Sequence, residues 1–342
     1  MNISQIREKL GQKDYNFLKE DERLKNNIIL LALGGSHAYG MSNENSDLDV
    51  RGIALNSKEE ILLGRDFEQV VETTTDTTVY SFNKMLQLLI SNNPNTIEIL
   101  GCRPEHYLYV SEIGQKLLEH RKMFLSKICI HTFSGYAGSQ LRRMENKAAR
   151  LVGQAEREEH ILRSIQNAKY DFKTRYFPQG EGEIALYIDS AVQEGYESEI
   201  FMDIHLTHYP LRDWTGMWNE MKSIISSYNK IGKRNEKAIS HDKLGKHMAH
   251  LIRLYMMCLD LLEKEEIITY REDEHDLLMD IRNGVYLDEN RQPSESFYDL
   301  LNEYERRMEY AKQNTSLPDK PNYKEINEFK MYVNERIIKG DI

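Results

Sequence analysis

The sequence predicts an α+β protein, with a small sheet-bearing domain over residues 1–110 followed by a mostly helical region over residues 111–342. Three observations support this reading. An unbroken apolar run, NIILLAL from Asn27 to Leu33, ends at Gly34-Gly35 and reads as a buried strand entering a turn. The segment SDLDVRGIAL alternates, setting Leu48, Val50 and Gly52 against Asp47, Asp49 and Arg51, which is the period-two signature of a strand. Beyond about Val110 strand signals fade and helical periodicity dominates.

The remaining elements follow in chain order. EQVVETTTDTTVYSF, residues 68–82, is rich in β-branched and aromatic residues and reads as a third extended stretch. From Asn83 to Ile90 the pattern turns helical, with Met85, Leu86, Leu89 and Ile90 as the apolar stripe. NNPN at 92–95 stops that helix, and Thr96 is placed to cap the next, IEILG. In the helical half, FPQGEGE at 177–183 and YPLRDW at 209–214 read as turn-rich breaks. Helix is expected again from Lys243 to Glu263 and from Ser294 to Lys312. There is no internal repeat.

A chain of 342 residues exceeds what one hydrophobic core usually serves, so two domains are expected. An apolar fraction of 40% beside 29% charged residues fits an ordinary globular protein. Cys102, Cys129 and Cys258 are far apart and form no CxxC pair, which points to a reducing cytoplasm and no structural zinc. The charged N-terminus carries no export signal, and no apolar run approaches the roughly 20 residues that span a bilayer. The net charge of −10 argues against nonspecific coating of nucleic acid. Residues 121–150 run against that trend, holding seven basic residues and a single acid, Glu145. That segment, with Tyr136, Gln140, Arg142 and Arg143, could accept an RNA backbone or a nucleotide, or be plain helix surface.

The segment carrying chemistry is LLALGGSHAYGMSNENSDLDVRG. A strand runs into Gly35-Ser36, ten residues separate Ser36 from Asp47, and Asp49 follows two positions on. Strand residues two apart project from one face roughly 7 Å apart, from a rise of about 3.3 Å per residue. Two carboxylates so placed can hold a pair of magnesium ions about 3.5 to 4 Å apart. Glycines at 34 and 35 let the backbone approach a phosphate, and Ser36 offers a hydroxyl and its own N–H. Asp-x-Asp alone would read as a solvated loop. The full arrangement of apolar strand, Gly-Ser, fixed gap and Asp-x-Asp favours a catalytic site.

This arrangement resembles the nucleotidyltransferase superfamily of DNA polymerase β, marked by Gly-Ser followed about ten residues later by Asp-x-Asp. More narrowly, GGSHAYGMSNENSDLDVRG is similar to the YcgL/RlaP-like nucleotidyltransferases, as are NNPNTIEIL at 92–100, SGYAGSQ at 134–140 and KHMAHLIRLYMMCLDLL at 246–262. The resemblance implies a mixed sheet with flanking helices, then a helical domain closing a cleft. Residues from about 150 to 240 match no part of that pattern and are expected to be an insertion that sets substrate choice.

The resemblance also implies a third carboxylate. Asp76 is the favoured candidate and Glu72 the competitor, since strand parity places both on one side. Arg51 shares the face of Asp47 and Asp49, so it either donates to a phosphate or holds the aspartates. His37 and Tyr39 follow the phosphate loop and either pack on the nucleotide or serve the core. Lys243, Lys246, His250 and Arg253 form one basic stripe along a helix, and Lys246, His250 and Arg253 are the candidate triphosphate ligands. His247 and His250 lack a Cys or third His and are read as no zinc site. Gly138-Ser139 repeats the dipeptide without a following Asp-x-Asp.

The activity implied is transfer of a nucleoside monophosphate from an NTP to an acceptor hydroxyl, releasing pyrophosphate. Two Mg²⁺ ions, or Mn²⁺, held by Asp47, Asp49 and Asp76 would serve as cofactors, with Gly35, Ser36 and Arg51 on the nucleotide. An RNA end is the favoured acceptor; a protein side chain or a small molecule also fits. The rival class is a non-catalytic nucleotide- or RNA-binding module. The intact Asp47 and Asp49 weigh against it.

Overall fold

The computed structural model describes residues 3–44, 46–149, 182–190, 192, 198–216, 218–219, 222 and 242–341. Five strands, β1 (Ile28–Leu33), β2 (Val50–Ala54), β3 (Gln69–Glu72), β4 (Thr77–Ser81) and β5 (Tyr107–Val110), form one sheet in the order β3-β4-β2-β1-β5. The β2–β4 pair is parallel and the other three are antiparallel, so the sheet is mixed. The third extended stretch is therefore two strands, turned at Thr73 to Asp76, where Asp76 takes a left-handed φ of 43°.

The N-terminal helices are α1 (Ile3–Leu10), α2 (Phe17–Glu20), α3 (Gly35–Tyr39), α4 (Lys58–Leu63), α5 (Phe82–Ile90), α6 (Pro94–Ile97) and α7 (Glu112–Glu119). After them come α8 (Ile128–Ala149), α9 (Asp242–Leu259), α10 (His275–Asn283), α11 (Glu295–Asn314) and α12 (Tyr323–Lys339). Asn93, not Thr96, caps α6, its side chain accepting from the Asn95 N–H, because Pro94 fits the first helical position and sets the boundary one turn earlier. The YPLRDW break becomes helical at 211–216. None of the helices among the described residues is long and apolar enough to cross a membrane.

Strand β1 is continuous in its apolar pattern because both sheet faces are covered. On one face Leu31, Leu33, Val50, Val70 and Val79 pack with Ile6 of α1 and Leu18 of α2. On the other, Leu30, Ala32 and Ile53 join Phe82 of α5, Leu117 of α7, Phe133 of α8, Leu254 and Met257 of α9, and Phe329 and Val333 of α12. Phe82 and Phe329 bring their rings to 6.0 Å.

Two compact units result: Met1–Gly138, Ala249–Ile281 and Tyr298–Ile342 in one, Ser139–Met248 and Arg282–Phe297 in the other. This division differs from a break at residue 110. The sheet needs an apolar cover on its second face, and helices distant in sequence supply it.

In the second unit, β6 (Gly182–Ser190) and β7 (Ser198–Leu206) form an antiparallel hairpin within the mostly helical C-terminal region. The alternation of Ile184, Leu186 and Ile188 accounts for it, since these positions register with Ile204, Met202 and Ile200. Residues 177–181 of the expected break, and most of the expected insertion, lie outside the described residues, as do the side chains of Arg142, Lys147, Arg150 and Lys243.

Candidate active site

The site is built where the ends of β1, β2 and β4 meet. Asp47 and Asp49 sit in the approach to β2, three residues and one residue short of the strand itself. The ladder still reaches Asp49: the Gly34 N–H donates to the Asp49 carbonyl at 2.9 Å, and the Val50 N–H donates to the Asp76 carbonyl at 3.2 Å. Those two bonds fix Asp49 between the phosphate-loop candidate and Asp76. The alternation read from the sequence holds here, with Leu48 and Val50 buried, Asp49 half-buried and Asp47 exposed.

Gly35 carries a left-handed φ of 54°, and a Cβ on it would collide with the Asp49 carboxylate. Only glycine lets this acid lie against the loop. The loop continues as the single-turn helix α3 and ends at Gly40, whose φ of 77° turns the chain against the Tyr270 ring. The Arg271 N–H donates to the Tyr39 carbonyl at 3.1 Å, so residues 270–271 back the loop.

Asp49 and Asp76 lie within hydrogen-bonding reach of each other. Burial first, and then the Asp76 carboxyl, push the Asp49 carboxyl up to about 7, while Arg51 pulls it down. Arg51 answers both acids: its Nη2 is 3.4 Å from Asp49 Oδ1 and 3.3 Å from Asp76 Oδ1, and its Nη1 donates to the Asp76 carbonyl at 2.7 Å. It acts here as the clamp between the aspartates. Glu72, by contrast, is half-buried at the end of β3 and accepts from the Thr74 N–H and hydroxyl. The turn therefore brings Asp76, and not Glu72, to Asp49. Among the described residues, no three His, Cys, Asp or Glu side chains stand together in a metal-ligating group.

Beneath the loop lies a buried ion pair that sequence reasoning missed. Arg253 is 1% exposed and its Nη1 donates to Glu98 Oε2 at 3.2 Å, while the Tyr39 hydroxyl donates to Glu98 at 2.9 Å. The Arg253 guanidinium also covers the Tyr39 ring at 3.6 Å and donates from Nη2 to His250 Nδ1 at 3.0 Å. Burial pushes the Glu98 carboxyl up, with Arg253 and the Tyr39 hydroxyl opposing. Arg253 and His250, expected on the triphosphate, are thus engaged with Glu98 and with each other, because a buried arginine needs a carboxylate partner. Glu98 is the polar position amid the apolar run TIEIL, the one signal that could have marked it. Lys246 is exposed and belongs to the second unit.

His37 is buried, which pushes its imidazole down, so its ring serves the core beside the loop. In the basic segment, Lys127 pairs with Asp319 at 3.1 Å and Arg121 donates to the Leu118 carbonyl at 2.9 Å. Gln140, in the second unit, pairs with His247 Nδ1 at 3.1 Å.

Comparison with curated proteins and with solved structures gives no match. Residues 10–170 match the model of the RlaP family, described as RNA repair pathway DNA polymerase beta family, and the mixed sheet with its flanking helices is consistent with a polymerase-β-like nucleotidyltransferase.

Proposed function

We propose that the protein transfers a nucleoside monophosphate from an NTP to an acceptor hydroxyl and releases pyrophosphate. The observation that carries the reading is Asp49 lying against Gly35 while sharing Arg51 with Asp76, with the exposed Asp47 two residues before Asp49. Two carboxylates in contact, one of them partly desolvated and answered by a single arginine, suit a divalent cation such as Mg²⁺ or Mn²⁺. Asp49 and Asp76 would hold it, and Asp47 would contribute from outside that pair, since the three do not form one metal-ligating group. When bound, such ions activate the attacking hydroxyl and neutralise the departing pyrophosphate.

The chain's own residues do the rest. Gly34 and Gly35 admit a phosphate close to the backbone, and Ser36 offers a hydroxyl and an N–H. Arg51 holds the aspartates in register and presents a charged donor beside them. The Glu98, Tyr39 and Arg253 group fixes the floor of the loop, so that the acids keep their geometry through the reaction. An RNA end is the acceptor we favour, supported by the description of the matching family and by the basic residues between 121 and 150.

Incubating the protein with each α-labelled NTP and Mg²⁺ against cellular RNA and protein tests this reading. Label should enter RNA, and Asp47→Asn with Asp49→Asn should abolish uptake without unfolding the protein. Near-normal transfer by that double variant would overturn the site assignment. Label on protein instead would change the acceptor.

A further inference from the structure

Resting on the NTP reading above, we propose that Tyr136, with Tyr80, Asn93 and Asn95, forms the subsite that receives the nucleobase. The group is assembled by the turn after α5. Asn92, at a left-handed φ of 50°, is fully buried; its Nδ2 donates to the carbonyls of Leu89 and Phe124, and its Oδ1 accepts from the Ser126 N–H. The Thr132 hydroxyl donates to the Asn92 carbonyl at 3.0 Å. This fastens the NNPN turn to the start of α8 and sets Asn93 and Asn95 opposite Tyr136.

The contacts there leave a defined donor. Asn93 Nδ2 donates to Tyr136 Oη at 3.2 Å, and Asn95 Nδ2 donates to the same oxygen at 3.4 Å. A phenol oxygen that accepts from two amides has its own hydrogen left to give. Tyr136 is half-buried and Asn95 exposed, so that hydrogen is within reach of a ligand. The partner it suits is a hydrogen-bond acceptor, such as a base carbonyl or ring nitrogen.

Tyr80 joins this group to the acids. On β4 it registers with Ile53 of β2, two positions along from the pair Thr78 and Arg51, and shares their sheet face. Its phenol is held up by burial and lies in the electrostatic field of Arg51, Tyr136 and Glu98. From Thr77, the residue after Asp76, to Tyr80 the strand rises roughly 10 Å, a span on the scale of an extended nucleotide. Phosphate is an unsuitable occupant, because the two cations near Tyr80 are already paired, Lys84 with Glu68 at 3.0 Å and Arg51 with Asp49 and Asp76. Aromatic faces combined with amide and hydroxyl donors are the chemistry that reads a base.

Calorimetric titration with the four NTPs and with inorganic tripolyphosphate, all with Mg²⁺, tests the proposal on the full chain. The wild type should bind at least one NTP about tenfold more tightly than tripolyphosphate. Tyr136→Phe should weaken that NTP by about three- to tenfold, the worth of one hydrogen bond, and leave tripolyphosphate within about twofold. Asn95→Ala should act in the same direction. Unchanged NTP affinity in both variants, or equal loss of NTP and tripolyphosphate, would overturn the subsite while leaving the phosphate site standing. If the wild type bound neither ligand, the NTP reading itself would fall, and this subsite with it.

Discussion

Replacing Gly35 by alanine separates the backbone demand at the loop from the chemistry of the acid beside it. A residue with a side chain in the left-handed region loses about 1 to 2 kcal/mol. Gly64, at the end of α4, has a φ of 64° and nothing within 4 Å of a built Cβ, so Gly64→Ala carries the backbone cost alone. Both variants should melt a few degrees below the wild type, at roughly 2 to 4 °C per kcal/mol for a protein of this general size. Only Gly35→Ala also places a Cβ 2.7 Å from Asp49 Cγ, inside the 3.4 Å at which ordinary contact begins. The Asp49 carboxylate must then swing away from the loop, toward Asp76 and Arg51. A misplacement near 1 Å in a reacting constellation costs about a hundredfold in rate. Measured by Mg²⁺-dependent transfer of labelled NMP, Gly35→Ala should fall by about two orders of magnitude, and Gly64→Ala should stay within about twofold. Comparable activity in the two variants would refute the argument that Asp49 works against a bare Gly35.

Three further outcomes follow from the geometry. Asp76→Ala should cut transfer by orders of magnitude and Glu72→Ala by less than about threefold, because only Asp76 meets Asp49; the reverse order in a turnover assay would move the third acid to Glu72. Glu98→Ala strands a buried Arg253 and should destabilise by about 3 to 5 kcal/mol in urea unfolding, whereas replacing both partners by apolar residues should recover much of the loss. Burial holds the imidazoles of both His37 and His106 below their ordinary range. Each then contributes stability that is complete above the unfolded imidazole value near 6.5 and is lost as pH falls through the depressed folded value. The raised carboxyls of Asp49 and Glu98 act in the opposite sense, in the wild type and in His106→Gln alike, so the difference between the two proteins is the readout. On acidification below about pH 6.5, His106→Gln should lose less melting temperature than the wild type; parallel profiles would contradict it.

The parts of the site legible from sequence were those encoded locally. The strand into Gly34-Gly35, the alternation through Asp47, Asp49 and Arg51, and helix α5 all rest on neighbours within a dozen residues. Asp76 was harder to read because the Thr-rich run conceals a turn, and parity along an assumed single strand could not part it from Glu72. The Glu98–Arg253 pair joins positions 155 residues apart, and no local pattern announces such a contact. Arg253 looked like a cleft residue because it shares a helical stripe with His250 and Lys246, yet burial decides its role and periodicity alone does not report burial of a charge. The β6–β7 hairpin carried a clear alternation, masked by the helical composition on either side of it.

The cover of the sheet's second face comes from α9 and α12, and this orders events during synthesis. Strand β2 leaves the ribosome about 200 residues before Leu254, which at 5 to 20 residues per second is on the order of 10 to 40 seconds. Throughout that interval Leu30, Ile53 and Phe82 have no permanent apolar neighbour from the later helices. The full cover of that sheet face is complete only when translation has passed Val333.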